Sequence, residues 1–237
     1  MTAVSYVDHL LRNRERVVAD IQDEARAGEN ARACFWVFLC LSVFYGLVMG
    51  LQNLVHGEVD GWKYALAAAV KLPILFLLTL AICLPLLHVL NVLVGRRARF
   101  STILGLLMAS IAVTSIVLAS CALIVLFFML STKSYAFIKL LNVFVFALAG
   151  GYGVWFLRRG MYTIVSSAPE TKPGVDSQDG VGTIMNWWLI TYGIVGTQMA
   201  WILRPFVGSP HAFSFFRAQE SNFYVNLVQI IESLLKL

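Results

Sequence analysis

Hydrophobic and polar positions alternate along this chain in long blocks rather than at short periods. Apolar blocks of roughly 20 residues or more, the length that crosses about 30 Å of hydrocarbon, are set apart by short polar pieces. These are HGEVDG at 56–61, GRRAR at 95–99 and STKS at 131–134. The pattern predicts apolar helices at about 34–55, 62–95, 102–130, 135–157 and 184–203, with a flexible, Pro-, Gly-, Ser- and Asp-rich loop over 165–183. Period-two alternation is missing and the runs are too long for barrel strands, which excludes an outer-membrane barrel.

Both ends carry a helical period instead. Over 5–30, Val7, Leu10, Leu11, Val18 and Ile21 recur at three- and four-residue steps among mixed charges. RAGENAR reads as the hinge into the first span. At 221–237, Phe223, Leu227, Ile230, Leu234 and Leu237 fall on one stripe. The expected fold is an all-α membrane protein, a bundle of about five transmembrane or membrane-embedded helices. Residues 1–33 form a cytoplasmic amphipathic N-terminal helix, 34–207 the transmembrane domain, and 208–237 a C-terminal interfacial segment and amphipathic helix.

Composition sharpens the class. The chain is 59% hydrophobic and 13% charged, where soluble domains carry roughly 25% charge. Its net charge of +5 would point to nucleic acid in a soluble protein; here topology-setting arginines account for much of it. Arg96, Arg97 and Arg99, then Arg158 and Arg159, fall on the side of the N-terminus if every block crosses once, so that side is expected to be cytoplasmic. The N-terminus shows no cleavable signal pattern, so the first span is expected to direct insertion. Five crossings would carry the C-terminal helix outside; a re-entrant second segment would return it. Cys34, Cys40, Cys83 and Cys121 lie in apolar runs without CxxC spacing, so neither disulfides nor a metal site is expected.

Lys71 breaks the apolar rule. At a helix centre a lysine costs about 2.5–3.5 kcal/mol to insert, so it faces a partner, a water-filled cavity or, from a segment end, the headgroups. Two readings stand: snorkelling, or a positive lining for an anion-favouring pore, repeated as a ring of charge in an oligomer. Pro73 and Pro85 make 62–95 either one kinked, tilted helix or a re-entrant piece followed by a span starting at Pro73. Thr79, midway between the prolines, is a pore-lining candidate beside Lys71.

In the third segment Ala112, Ser115, Ala119 and Ala122 form a face of small residues, and Ser110 and Thr114 form a polar pair four apart. Tight packing and a mildly polar pore stripe both fit that pair. Gly46 and Gly50 make a second small face. Gly150 and Gly151 allow close packing or a flexible gate. Trp187, Trp188 and Trp201 edge the fifth block as interface aromatics. Arg204 and Arg217, among phenylalanines, fit an aromatic clamp or a phosphate site.

Enzyme motifs are absent: there is no HExxH, GxSxG or P-loop, and no paired carboxylates. We expect no enzyme and no cofactor. Proton-coupled transport, which places carboxylates in the pathway, is disfavoured.

Two motifs, KLPILFLLTLAICLPLLHVLNVLVG and LRPFVGSP…FSFFR…SNFY, resemble a family of small multi-pass bacterial inner-membrane proteins. The chain also resembles the membrane component of Hailong-type anti-phage systems. That resemblance implies a homotetrameric channel held closed by a nucleic-acid signal from a partner nucleotidyltransferase, and released on infection to depolarise the cell. A polyanion-binding surface would draw on Arg96, Arg97, Arg99, Arg158 and Arg159. The expected function is therefore a homo-oligomeric, anion-leaning ion channel of the bacterial inner membrane. The alternatives are a membrane scaffold or assembly protein, or a protein handling lipid or polyprenyl phosphate through Arg204 and Arg217.

Overall fold

A computed structural model describes residues 20–21, 24–55, 61–93, 100–132, 134–166 and 177–203. Among them all regular structure is helical: α1 Glu24–Gly50, α2 Gln52–Val55, α3 Gly61–Leu93, α4 Phe100–Ser131, α5 Tyr135–Ser166 and α6 Ser177–Ile202. Four helices are long and apolar enough to cross a membrane, over Gly28–Gly50, Gly61–Val89, Phe100–Ser131 and Ala136–Ile164. The protein is an all-α, multi-pass membrane protein. The fifth expected segment, 184–203, falls on helix α6.

Three boundaries move. RAGENAR is not a hinge but part of α1, because its Ala, Arg and Glu favour helix enough to carry Gly28. The second segment is one continuous helix through both prolines, so 62–95 is not broken at Pro73. Intramembrane helices tolerate proline where neighbours re-satisfy the freed carbonyls. The 165–183 loop is shorter, since α5 runs to Ser166 and α6 begins at Ser177. The C-terminal helix expected at 221–237 and most of the N-terminal one lie outside the described residues.

α1 is the central strut, packing along both α3 and α4; α4 also packs along α5, and α6 packs on α3. The α1–α3 contact runs through small residues. A Cβ on Gly46 would come within 2.7 Å of the Ala68 carbonyl oxygen and 2.8 Å of Ala69 Cα, and one on Gly50 would collide with Ala65 Cα. Glycine at both positions lets the two backbones touch.

Aromatic rings fill the middle. Phe38 of α1 meets Phe76 of α3 edge-on at 6.0 Å; Phe146 of α5 stacks on Phe76 at 6.4 Å and meets Tyr45 edge-on at 5.7 Å. Outward, Leu66, Val70, Ile74, Leu78 and Ile82 of α3 repeat every four residues and are exposed, as are Leu123 and Phe127 of α4 and Phe144 and Trp155 of α5. This is a surface matched to lipid. At one end Ile21, from the expected N-terminal stripe, is buried. It sits so close to Gly105 of α4 that a Cβ there would be 2.9 Å from its Cγ2.

Candidate functional site

The four pore-lining candidates, Lys71, Thr79, Ser110 and Thr114, are all buried within one chain. Lys71 stands ten residues into α3, about 15 Å along the axis at 1.5 Å per residue. It is 1% exposed, in line with the buried Ala68, Leu72 and Leu75 of its own helix. It therefore does not reach out across a lipid-facing surface. Asp and Glu are nearly absent from the four spans: Glu29, in the first turn of the first, stands alone.

Thr79 is also buried, and its Oγ1 donates to the Leu75 carbonyl at 2.8 Å. It thus serves its own helix, not the Ala69 or Ala81 carbonyls that Pro73 and Pro85 deprive of a backbone donor. Ser110 and Thr114 work as a pair. Ser110 Oγ crosses to α5 and donates to the Gly153 carbonyl at 2.7 Å, while Thr114 Oγ1 donates back to the Ser110 carbonyl at 2.9 Å. A Cβ on Gly153 would fall on Thr114 Oγ1. The three residues form one polar knot at the α4–α5 crossing, and the packing reading describes their place in the single chain. Ala112, Ser115 and Ala122 of the small-residue face are buried as well.

Gly150 and Gly151 lie within unbroken α5, with nothing within 4 Å of where a Cβ would stand. Of the arginines, Arg158 and Arg159 are exposed near the end of α5, Arg158 lying 5.9 Å from the Tyr162 ring centre. Arg96, Arg97, Arg99, Arg204 and Arg217 lie outside the described residues.

Two polar contacts escaped the sequence reading. Tyr45 OH of α1 donates to Asn142 Oδ1 of α5 at 3.0 Å, and Asn142 Nδ2 donates to the Ile138 carbonyl at 2.9 Å. Both side chains are buried. Trp188, read as an interface aromatic, is 1% exposed. Its Nε1 donates to the Cys83 carbonyl at 3.0 Å and its ring stacks on Tyr192 at 5.2 Å. It fastens α6 to α3 just before Pro85. Trp187 fits the interface reading better, at 66% exposed. The only advance signal for either contact was a lone hydrogen-bonding group in an apolar run.

The cysteines are free, and no metal-binding cluster occurs among the described residues. What the arrangement defines is a multi-pass helical membrane protein with an ionisable side chain held inside its bundle. The chain matches no family model, no curated protein and no solved structure.

Proposed function

We propose that this chain is the subunit of a homo-oligomeric, anion-leaning ion channel of the bacterial inner membrane, whose opening depolarises the membrane. The observation that carries the reading is Lys71, an ionisable group at membrane depth and 1% exposed. Charged groups inside a bilayer face a bundle interior or a water-filled path, and mark ion pathways more often than anchors. The near absence of carboxylates in the spans weighs against a proton-coupled carrier. In a low-dielectric wall a lysine acts on passing ions through its field, which such surroundings screen far less than water does.

The packing supports a cytoplasmic N-terminal side. Ile21 lies against Gly105 near the start of α4, and Leu106 lies against Gly160 near the end of α5. Arg158 and Arg159 thus share an end of the bundle with the chain's N-terminal side, and basic residues favour the cytoplasmic face. The resemblance to Hailong-type membrane components supports anti-phage defence as the setting. There the two arginines would be candidates for contacting a nucleic-acid signal made by a partner nucleotidyltransferase.

The test is flux from liposomes carrying the full-length protein, alone and after removal of residues 1–19. Chloride flux exceeding potassium flux in either preparation is the expected result. A silent membrane in both, with correctly folded protein, would sink the channel reading.

A further inference from the structure

We propose that an exposed lane along α5 is a phospholipid site, with the Arg158 and Arg159 guanidiniums on the phosphate of a lipid of net negative charge and an acyl chain lying over Gly151. The site does not rest on the channel reading. Gly153 and Gly160 mark the inner side of the helix, against Thr114 and Leu106 of α4. On the opposite side Phe144, Leu148, Gly151, Trp155, Arg158 and Tyr162 step by four, three, four, three and four, the spacing of one helix face. The first five are exposed and Tyr162 is half-buried. Arg159, one residue round the helix from Arg158, is exposed as well.

The first observation is charge at the edge of the hydrocarbon. The span Ala136–Ile164 has 29 residues, about 43 Å at 1.5 Å per residue, and so exceeds a hydrocarbon core about 30 Å thick. Arg158 stands six residues before Ile164, about 9 Å along the axis. With the surplus shared between the two ends, both arginines sit at the edge of the core, where their long stems carry the guanidiniums to the headgroup phosphates. Neither α4 nor α5 contains an aspartate or glutamate. Among the described residues no carboxylate is paired with either guanidinium. Two neighbouring guanidiniums without a counter-charge suit the oxygens of a phosphate. A lipid with no ammonium of its own answers that surplus charge better than a zwitterionic one.

The second observation is shape. Gly151 lies seven residues before Arg158, about 10 Å deeper along the axis, and nothing stands within 4 Å of where its Cβ would be. Between Leu148 and Trp155, both large and exposed, it leaves a notch at the depth of the upper acyl chain. Arg158 lies 5.9 Å from the centre of the Tyr162 ring, a cation–π contact that restrains the guanidinium at the mouth of the lane. The same two arginines are the candidates for a nucleic-acid signal. Their place within the span, above an apolar notch, favours a ligand that carries hydrocarbon below its phosphate, and a nucleic acid has none.

The experiment measures the lipid retained on full-length protein in detergent by native mass spectrometry, with phosphatidylglycerol and phosphatidylcholine added in equal amounts. Wild type is compared with Arg158→Gln/Arg159→Gln, with Gly151→Leu and, at the opposite end of the bundle, with Lys63→Gln. We expect wild type to hold phosphatidylglycerol about tenfold more tightly than phosphatidylcholine. The double arginine variant should lose that preference, Gly151→Leu should retain less of both lipids, and Lys63→Gln should match wild type. The single arginine variants serve if the double one does not fold. Equal retention of the two lipids by wild type, an undiminished preference without the arginines, an equal loss in Lys63→Gln, or full retention by Gly151→Leu overturns the inference. A single-stranded oligonucleotide that binds only when both arginines are present, with no preference for phosphatidylglycerol, also overturns it and assigns the arginines to nucleic acid. Every one of these results is read without reference to whether the protein conducts.

Discussion

Substituting one glycine in α5 probes the packing that holds the bundle together. A methyl at Gly153 would fall on the Thr114 hydroxyl, with the Ser110 carbonyl oxygen 3.2 Å away. Two hydrogen bonds pin those atoms, Ser110 to Gly153 at 2.7 Å and Thr114 to Ser110 at 2.9 Å. Relief requires Thr114 to rotate off its acceptor or α4 and α5 to part. Overpacking of this kind costs about 1–3 kcal/mol, and a lost hydrogen bond about 1 kcal/mol more. Removing a helical glycine returns roughly 1 kcal/mol. Gly153→Ala should therefore destabilise by about 1–3 kcal/mol. Gly150→Ala and Gly151→Ala, with open space at both sites, should be neutral or stabilise by up to about 1 kcal/mol. Thr114→Ala removes the clashing oxygen, so the cost of Gly153→Ala should fall by about 1 kcal/mol or more in the double variant. Unfolding by SDS in mixed micelles, followed by circular dichroism, measures all five proteins against wild type. If Gly153→Ala tracks Gly151→Ala, or Thr114→Ala gives no relief, the crossing is not built as described.

Two further substitutions test the contacts that sequence did not reveal. Tyr45→Phe leaves the buried Asn142 oxygen without its donor and should cost about 1–3 kcal/mol by the same unfolding assay. Adding Asn142→Leu should recover most of that loss, and a neutral Tyr45→Phe would refute the bridge. Trp188→Phe keeps the ring but not the N–H; about 1 kcal/mol is lost at the fastening of α6 to α3. Hydrogen–deuterium exchange should then quicken within 186–202 while α1 and α4 stay protected. Uniform or unchanged exchange would show that Trp188 does not anchor α6.

The chain revealed what depends on local pattern and concealed what depends on partners. Block length located the four spans, and Gly46 with Gly50 announced the α1–α3 seam, because both signals follow from bilayer thickness and helix period. Ser110 and Thr114 were legible as a polar pair; that Gly153 lay between them was not, since it sits on another helix. Tyr45 and Asn142 are 97 positions apart and neither belongs to a motif. Composition misled at RAGENAR, where one glycine imitated a hinge. Pro73 misled because its preference for a first helical turn yields to continuous packing against α1. Lys71 stood out by residue type alone, but its burial had to be seen.

The central claim is that Lys71 biases a conduction path toward anions. Reversal potentials in planar bilayers under a potassium chloride gradient test it most directly, comparing wild type with Lys71→Arg, Lys71→Ala and Lys71→Glu. Wild type and Lys71→Arg should reverse on the chloride side of zero, Lys71→Ala should move toward zero, and Lys71→Glu should move further toward potassium. Four identical reversal potentials would contradict the account and leave the buried lysine with a structural role alone.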